Sequence, residues 1–261
     1  MHTAIQRISF LGTGRLAHAF ATELLAAGYV IHQVWSRTPA HAQAFAAKFG
    51  GTNIPSPHAL DSTNDLLILA ISDDSLDEVN AMPIPRNLPV VHTSGSKSLD
   101  VLDSFPQRGV LYPLQSFSVQ KKVDFKQTPA FIEANSPAFS DSLFQLAESL
   151  FGEVHSIDSE QRAYLHLSAV WVNNFSNHLF TMAQELMATQ QLEFNWLMPI
   201  IRETVAKLDY LKPNEAQTGP ALREDASILQ KHLQMLRELP EFQEIYRLMS
   251  QHIQKTHSKK N

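Results

Sequence analysis

Short apolar runs alternate with helix-like segments along the first half of the chain. Segments 16–27 and 39–49 have helical spacing and end at glycines. Run 65–72 is apolar almost throughout, as in a central parallel strand covered on both faces. Strands alternating with helices predict βαβ units and a doubly wound α/β sheet. The predicted strands cover 8–12, 29–36, 65–72, 88–96, 109–114 and 128–136.

Strand signals stop near residue 158. Residues 158–190 predict one long helix with a polar, acidic start, and further helices are predicted at 195–211, at 223–239 and after Pro240. The sequence therefore predicts an α/β domain over residues 1–157, followed by an all-helical domain over residues 158–261.

Composition limits the classes of function. The 261 residues carry a formal net charge of −5, without the basic face typical of proteins that bind nucleic acid or anionic membranes. The absence of cysteine excludes disulfides and thiolate metal sites, and we expect a cytoplasmic protein. Stretch 163–184 is uncharged and long enough to span a bilayer, but its His, Asn and Ser residues favour a core or a subunit interface. No H-E-x-x-H motif occurs, so we expect no metal.

The segment between the first strand and the first helix fits the pattern G-x-G-x-x-A. The first glycine permits a tight turn, the second lets a pyrophosphate approach the backbone, and the small third position lets helix and strand pack closely. The helix N-terminus then offers unpaired N–H groups to the anion. An empty sharp turn is the alternative. The cofactor-binding residues predicted here are Gly12, Thr13, Gly14, Arg15, Leu16 and Ala17.

The end of the second strand indicates which dinucleotide is bound. An acidic residue in this position holds the ribose hydroxyls of NAD, whereas this chain has Ser36, Arg37 and Thr38. A guanidinium grips a 2′-phosphate that a carboxylate would repel. We therefore predict NADP(H) as the cofactor, with a solvated surface arginine as the alternative.

Two later strands end in small or polar residues that we expect to line the same crevice. Ligands of open α/β sheets bind outside the carboxyl ends of the strands. The predicted cofactor contacts at these ends are Ile71, Ser72, Asp73, Ser94 and Gly95.

Five stretches together resemble a known family: GTGRLA, SGS at 94–96, YPLQSFS at 112–118, YLHLSAVWVNNF at 164–175 and TGPALREDASILQKHLQML at 218–236. The chain is similar to Rossmann-like NADP oxidoreductases with a C-terminal helical domain of unknown function, which are distant relatives of pyrroline-5-carboxylate reductase and 6-phosphogluconate dehydrogenase-like enzymes. The resemblance implies a Rossmann NAD(P)-binding domain and a helical domain of the 6-phosphogluconate dehydrogenase type, but no particular substrate. Glu224 departs from the pattern, in which a glycine is expected.

Polar residues on the predicted long helix are the candidates for catalysis. At about 100° per residue, His166, Asn173 and Asn177 fall within roughly 40° of one another, with Asn174 at the edge of that face. His166 is the candidate general acid, since an ordinary imidazole titrates at about pH 6.5. Asn173 or Asn174 would orient the substrate. Alternatively, these groups bond backbone across a helix interface.

Three residues elsewhere are candidates for substrate binding. Gln115 and Ser116 follow the fifth predicted strand and could reach the nicotinamide side of the crevice. For Tyr112, a simple packing role is one open interpretation. Arg223 is a candidate for a substrate carboxylate, contributed by the other subunit of a dimer. Its structural alternative is a local pair with Asp225 at a helix start.

The leading hypothesis is an NADP(H)-dependent oxidoreductase that passes hydride to or from a small carbonyl or imine substrate at the domain junction. We expect a homodimer through the helical domain, with no nucleic-acid or membrane partner. Two alternatives stay open: a non-catalytic dinucleotide-binding sensor or scaffold, and a deazaflavin-dependent NADP oxidoreductase.

Overall fold

The computed structural model describes residues 5–118 and 122–258, so residues 1–4, 119–121 and 259–261 of the two predicted domains lie outside the described residues. The described residues form eight strands: β1 (Arg7–Leu11), β2 (Val30–Trp35), β3 (Thr52–Asn53), β4 (Leu66–Leu69), β5 (Val90–His92), β6 (Arg108–Pro113), β7 (Pro129–Ala134) and β8 (Glu153–Ser156). They also form nine α-helices: α1 (Arg15–Ala26), α2 (Pro39–Phe49), α3 (Asp73–Asp77), α4 (Pro137–Leu150), α5 (Ser159–Ala169), α6 (Ser176–Ala188), α7 (Met198–Ala206), α8 (Ala226–Met235) and α9 (Pro240–Ser258).

All of these strands belong to one sheet with the order β3-β2-β1-β4-β5-β6-β7-β8. Every neighbouring pair is parallel except β6 and β7, which are antiparallel. The order runs outward from β1 through β2 and β3, then returns to place β4 on the other side of β1. This is the doubly wound sheet predicted from the sequence, with its topological switch point between β1 and β4.

β4 explains why the sheet is covered on both faces. Leu66 and Ile68 pack in one apolar cluster, whereas Leu67 and Leu69 pack in a second cluster, and all four are fully buried. Side chains of successive strand residues point to opposite faces, so a continuous apolar run needs cover on both. Helices α1, α2 and α4 contribute to the first cluster, and α3 with the 3-10 turn Leu99–Leu102 contributes to the second.

Two strands were missed at the sequence level. β3 has two exposed residues, and β8 has four residues of which three are exposed. Neither carries the apolar run by which strands are recognised, because each lies at an outer edge of the sheet.

The chain divides into two compact units, one up to Asn173 and one from Asn174 onward. Secondary structure changes type earlier, because β8 ends at Ser156 and the described residues after it form helices without a further strand. The predicted division at 157/158 rests on that change of type and stays a prediction. No helix formed by residues 5–118 or 122–258 is both long and apolar enough to cross a membrane.

The predicted long helix differs from its prediction in its middle. A π-helix over Val170–Phe175 separates α5 from α6. A π-helix has i→i+5 hydrogen bonds and therefore takes more residues per turn. The alignment of His166 with Asn173 and Asn177, which assumed 100° per residue, therefore does not hold through this segment.

Two helices of the second unit start later than predicted. α7 begins at Met198 after a 3-10 turn, and α8 begins at Ala226 instead of 223. Asp225 is the N-cap of α8, and its carboxylate accepts the backbone N–H of Ile228 at 3.2 Å. Just before this cap, Glu224 has a φ of 54°, a left-handed conformation that favours glycine. The family resemblance places a glycine at this position.

Glu224→Gly should therefore stabilise the protein. A left-handed conformation costs an L-residue about 1–2 kcal/mol, and the greater freedom of glycine in the unfolded chain returns about 0.4–1 kcal/mol of that. We expect urea denaturation to show a free energy of unfolding higher by about 0.5–1 kcal/mol. Glu224→Ala is the control, since it also removes the contact of Glu224 Oε1 with Ser258 Oγ (3.4 Å) but keeps a Cβ. An alanine variant as stable as the glycine variant would contradict the explanation.

Candidate active site

The β1–α1 turn brings the backbone unusually close to β4. Gly12 has a φ of 99°, and a Cβ built on it would lie 2.8 Å from the carbonyl carbon of Ala70 and closer still to its oxygen. The N–H of Gly12 bonds the carbonyl of Trp35 at 2.8 Å, which ties the turn to the end of β2. Glycine is needed here for both the conformation and the space.

Gly14, by contrast, faces open space. Its φ is −73°, and a Cβ at this position would meet nothing within 4 Å. It is the N-cap of α1, yet no side chain caps this helix and its first turn has no acidic residue. The N–H groups of residues 15–17 have no acceptor within the helix. Ala17 is fully buried, so its small side chain lets α1 pack closely on the sheet.

A cleft of about 970 Å³ opens at this helix start. Its walls come from the glycine turn, from the ends of β2 and β4, from α1 and α2, and from the segment after β6. Nine of the predicted cofactor residues line it: Gly12, Thr13, Gly14, Arg15, Ser36, Arg37, Thr38, Ile71 and Ser72. Leu16 and Ala17 do not line the cleft, because their side chains pack in the first apolar cluster.

The cleft also has walls that the sequence did not indicate. Trp35 ends β2, and His18 stands on α1 with its ring edge-on to Phe45 and Phe49. Phe117 and Lys122 come from the segment after β6, whose residues 119–121 are not described. The amphipathic spacing of α1 accounts for the position of His18 on one face of the helix, but no sequence signal indicates that this residue lines the cleft.

The charges at the cleft suit an anionic ligand. Arg37 is exposed and has no acidic partner among the described residues. Glu23, the acidic residue of the lining, is paired with Lys122 at 3.0 Å. Thr38 begins α2 as its N-cap without a side-chain hydrogen bond to the helix. The glycine turn, the uncapped α1 and the unpaired Arg37 together fit a phosphorylated dinucleotide.

Three predicted cofactor residues that follow β4 and β5 do not line the cleft: Asp73, Ser94 and Gly95. Asp73 accepts a hydrogen bond from Ser96 Oγ at 2.6 Å. Ser94 is buried, and its Oγ accepts the backbone N–H groups of Ser96 and Lys97, each at 3.1 Å. These bonds connect the end of β5 to the start of α3 and fix the loop that carries Gly95.

His166 lies against Tyr112 and Gly95. The Tyr112 hydroxyl and His166 Nδ1 are 3.1 Å apart, and the two rings meet edge to face at 6.1 Å. A Cβ on Gly95 would lie 2.7 Å from both His166 Nδ1 and Tyr112 Cζ. Burial raises the pKa of Tyr112, and the charge of Arg162 opposes part of that rise. Tyr112 therefore forms a hydrogen bond with His166 in addition to packing.

Arg162 fixes the start of the helix that carries His166. Its side chain is 1 % exposed and forms an ion pair with Glu133 of β7. The same guanidinium donates to the carbonyl of Lys97 and, at 3.1 Å, to Ser159 Oγ. α5 is thereby attached both to β7 and to the loop after β5.

Beneath this loop, His92 is fully buried at the end of β5. Its Nδ1 accepts the backbone N–H of Ser94 at 3.2 Å. Burial, reinforced by the charge of Arg162, lowers the pKa of His92 to about 4. The side chain is therefore neutral at physiological pH.

Comparisons with known proteins agree with this geometry. A model described as "NADP oxidoreductase coenzyme F420-dependent" matches residues 7–90, and a domain of unknown function matches residues 128–253. A solved structure from Bacteroides fragilis, named a "putative NADP oxidoreductase", is 37% identical, with 96% of this chain and 98% of that chain covered and a TM-score of 0.86. The chain belongs to this family of NADP oxidoreductases.

More distant solved structures share the fold of this oxidoreductase. An imine reductase from Streptomyces aurantiacus is 17% identical, with 89% of this chain and 88% of that chain covered and a TM-score of 0.66. A reductive aminase from Aspergillus terreus, in complex with NADPH and ethyl-5-oxohexanoate, is 14% identical, with coverage of 99% and 95% and a TM-score of 0.75. No curated protein matches the sequence.

Family membership confirms the predictions of a Rossmann-like fold, an oxidoreductase and the cofactor class NADP(H). The roles of individual residues stay predictions.

Gln115 is exposed, and its side-chain oxygen accepts the N–H of Ser116 at 2.8 Å. Neither of these two predicted substrate contacts lines the cleft. Within the described residues, no three His, Asp or Glu side chains form a group that could hold a metal ion.

The candidate residues of the π-helix and of the second unit are exposed. Asn173 ends the first unit and Asn174 begins the second, and both are exposed. Arg223 is exposed in the second unit, and the described residues provide no ion pair between it and Asp225, which caps α8 instead.

The two glycines of the turn should respond differently to substitution by alanine. Gly12→Ala adds a Cβ where φ is 99° and Ala70 leaves no space, so the free energy of unfolding should fall by about 2 kcal/mol or more. Gly14→Ala should lower the free energy of unfolding by about 1 kcal/mol or less. Its methyl group enters the cleft, however, and should weaken NADPH binding. Urea denaturation and calorimetry measure the two effects. Equal stability losses would contradict this reading of the turn.

Stability should fall in mild acid because of His92. Its pKa is about 4 in the folded state against 6.5 for an ordinary histidine, so the unfolded chain binds the proton more tightly. Neutral His92 makes its full contribution to the free energy of unfolding above pH 6.5. That contribution, up to about 3 kcal/mol, is lost as the pH falls to 4. His92→Asn keeps an acceptor for Ser94 but does not titrate, so its stability should depend less on pH over that range. Parallel profiles for the two proteins would disprove the assignment.

Proposed function

We propose that the chain is an NADP(H)-dependent oxidoreductase that transfers hydride to or from a small carbonyl or imine substrate. The observation that carries the proposal is the cleft at the switch point, where an uncapped helix N-terminus and the unpaired Arg37 meet. Gly12 and Gly14 give the phosphates backbone access, and Arg37 gives the 2′-phosphate a partner.

The order of the strands supports one direction for the bound cofactor. Arg37 follows β2, the glycine turn follows β1, and β4, β5 and β6 come next across the sheet. Neighbouring strands lie about 4.8 Å apart. A dinucleotide with its 2′-phosphate at Arg37 and its pyrophosphate at α1 therefore extends toward Gly95 and Tyr112. The reacting end then lies toward His166.

Bound NADPH supplies the hydride, and the chain has to supply a proton to the substrate nitrogen or oxygen. His166 is the proposed donor through Nε2, which has no hydrogen-bond partner among the described residues. Asn173 or Asn174 is proposed to orient the substrate, since an exposed amide can both donate and accept. Gln115, Ser116 and Arg223 remain proposed substrate contacts.

Arg37→Ala tests the assignment of the cofactor. The wild type should bind NADPH at least tenfold more tightly than NADH, a difference of about 1.4 kcal/mol. The substitution should remove this preference by weakening NADPH binding alone. Calorimetric titration measures both affinities, and Arg237→Ala is the control, since Arg237 is exposed and pairs with Glu238 in the second unit. Equal affinities of the wild type for both dinucleotides would refute the role of Arg37.

A deazaflavin-dependent NADP oxidoreductase is the second candidate, because the family model that matches 7–90 is described as coenzyme F420-dependent. The matched residues are those of the nucleotide half. Oxidation of NADPH in the presence of the deazaflavin alone would favour this candidate, and oxidation with a carbonyl or imine panel would favour the first. Tight binding of NADPH with neither reaction would favour a sensor or scaffold.

We further propose a homodimer through the helical unit. This unit leaves many large apolar side chains exposed: Leu179, Phe180, Leu186, Leu192, Trp196, Ile200, Val205, Leu208, Tyr210, Met235, Leu248 and Met249. Monomeric soluble proteins rarely expose apolar surface on this scale. Light scattering should give twice the chain mass of 29.3 kDa. A mass of one chain would refute the dimer.

A further inference from the structure

The contact between Tyr112 and His166 uses groups that the sequence did not connect. Tyr112 ends β6 and His166 stands on α5, 54 residues later. The Tyr112 side chain is 9 % exposed, and its hydroxyl lies 3.1 Å from Nδ1 of the imidazole. This is a hydrogen bond between two groups that could each carry a proton.

Gly95 is the third member of the arrangement. Its φ lies outside the left-handed region, so its backbone conformation does not require glycine. Space does require it, because a Cβ would lie 2.7 Å from His166 Nδ1, 2.8 Å from His166 Cγ and 2.7 Å from Tyr112 Cζ. Any side chain at residue 95 would push the two rings apart.

The direction of the hydrogen bond follows from the chemistry of the two groups. Burial raises the pKa of Tyr112, so the phenol keeps its proton and can donate it. A neutral imidazole that accepts at Nδ1 carries its own proton on Nε2. Nε2 is the nitrogen without a partner among the described residues, which leaves its N–H available to a ligand.

We propose that Tyr112 is a positioning residue that holds His166 with its proton on Nε2, and that Gly95 provides the space for this contact. The proposal rests on the proposed function, in which His166 donates the proton. Arg162 supports it from the same helix, one turn earlier, by fixing α5 to Glu133 and to the carbonyl of Lys97.

Nitrogen NMR of the full-length protein, labelled at histidine and measured at pH 9 without substrate, tests the proposal. At this pH ordinary histidines are neutral, and His166→Gln identifies the His166 signals. Tyr112→Phe keeps the buried ring but removes the donor, so the Nδ1 resonance of His166 should move downfield, toward that of an imine nitrogen without a hydrogen bond. Gly95→Ala should move the same resonance.

Tyr29→Phe is the matched control, because it removes a hydroxyl that bonds Ser149 Oγ at 3.0 Å, and the His166 signals should not move. An unchanged Nδ1 resonance in Tyr112→Phe would overturn the proposal. With a reacting carbonyl or imine substrate, Tyr112→Phe should lower kcat about tenfold or more and leave the Kd of NADPH unchanged. A wild type that fails to bind NADPH would refute the proposed function, a result separate from the NMR outcome.

Discussion

Parallel pairing of β1, β2, β4, β5 and β6 is the constraint on which the site depends. Parallel strands direct their carboxyl ends to one edge of the sheet, so residues distant in sequence become neighbours there. Arg37, Gly14, Ser72, Gly95 and Tyr112 each follow or end one of these strands. Their spatial order repeats the strand order.

Local patterns in the sequence were sufficient for most of the first unit. The apolar run of β4 required cover on both faces, and the glycine turn required both a positive φ at Gly12 and open space at Gly14. Such features depend on neighbours in sequence and on elementary sterics. β3 and β8 were not predicted, because short, exposed edge strands carry no apolar run.

Contacts between distant elements could not be predicted in the same way. Tyr112 meets His166 only because β6 and α5 are brought together by the fold. The π-helix likewise arises without a sequence signal of its own, and it changes the face on which Asn173 lies. Glu224 is the opposite case, since the resemblance alone marked the position at which the backbone is left-handed.

The buried Arg162 fixes the position of α5 at the cost of removing a charge from water. Removing a guanidinium from water is unfavourable, and the ion pair with Glu133 offsets this only with further hydrogen bonds. Ser159 Oγ and the carbonyl of Lys97 provide them. The arrangement is weak evidence for stability, but it specifies one position of α5. Burial is the main reason that His92 stays neutral, and the charge of Arg162 lowers the pKa of His92 further.

The uncapped start of α1 has a consequence for the protein without its ligand. Helices normally end with their terminal N–H groups bonded, and here neither a side chain nor an acidic first turn serves that purpose. A phosphate in the cleft would act as the missing cap, so the ligand completes the secondary structure of the protein. Amide protons at this end of α1 would then exchange slowly only in the complex, and the ligand would raise the stability of the whole unit by mass action.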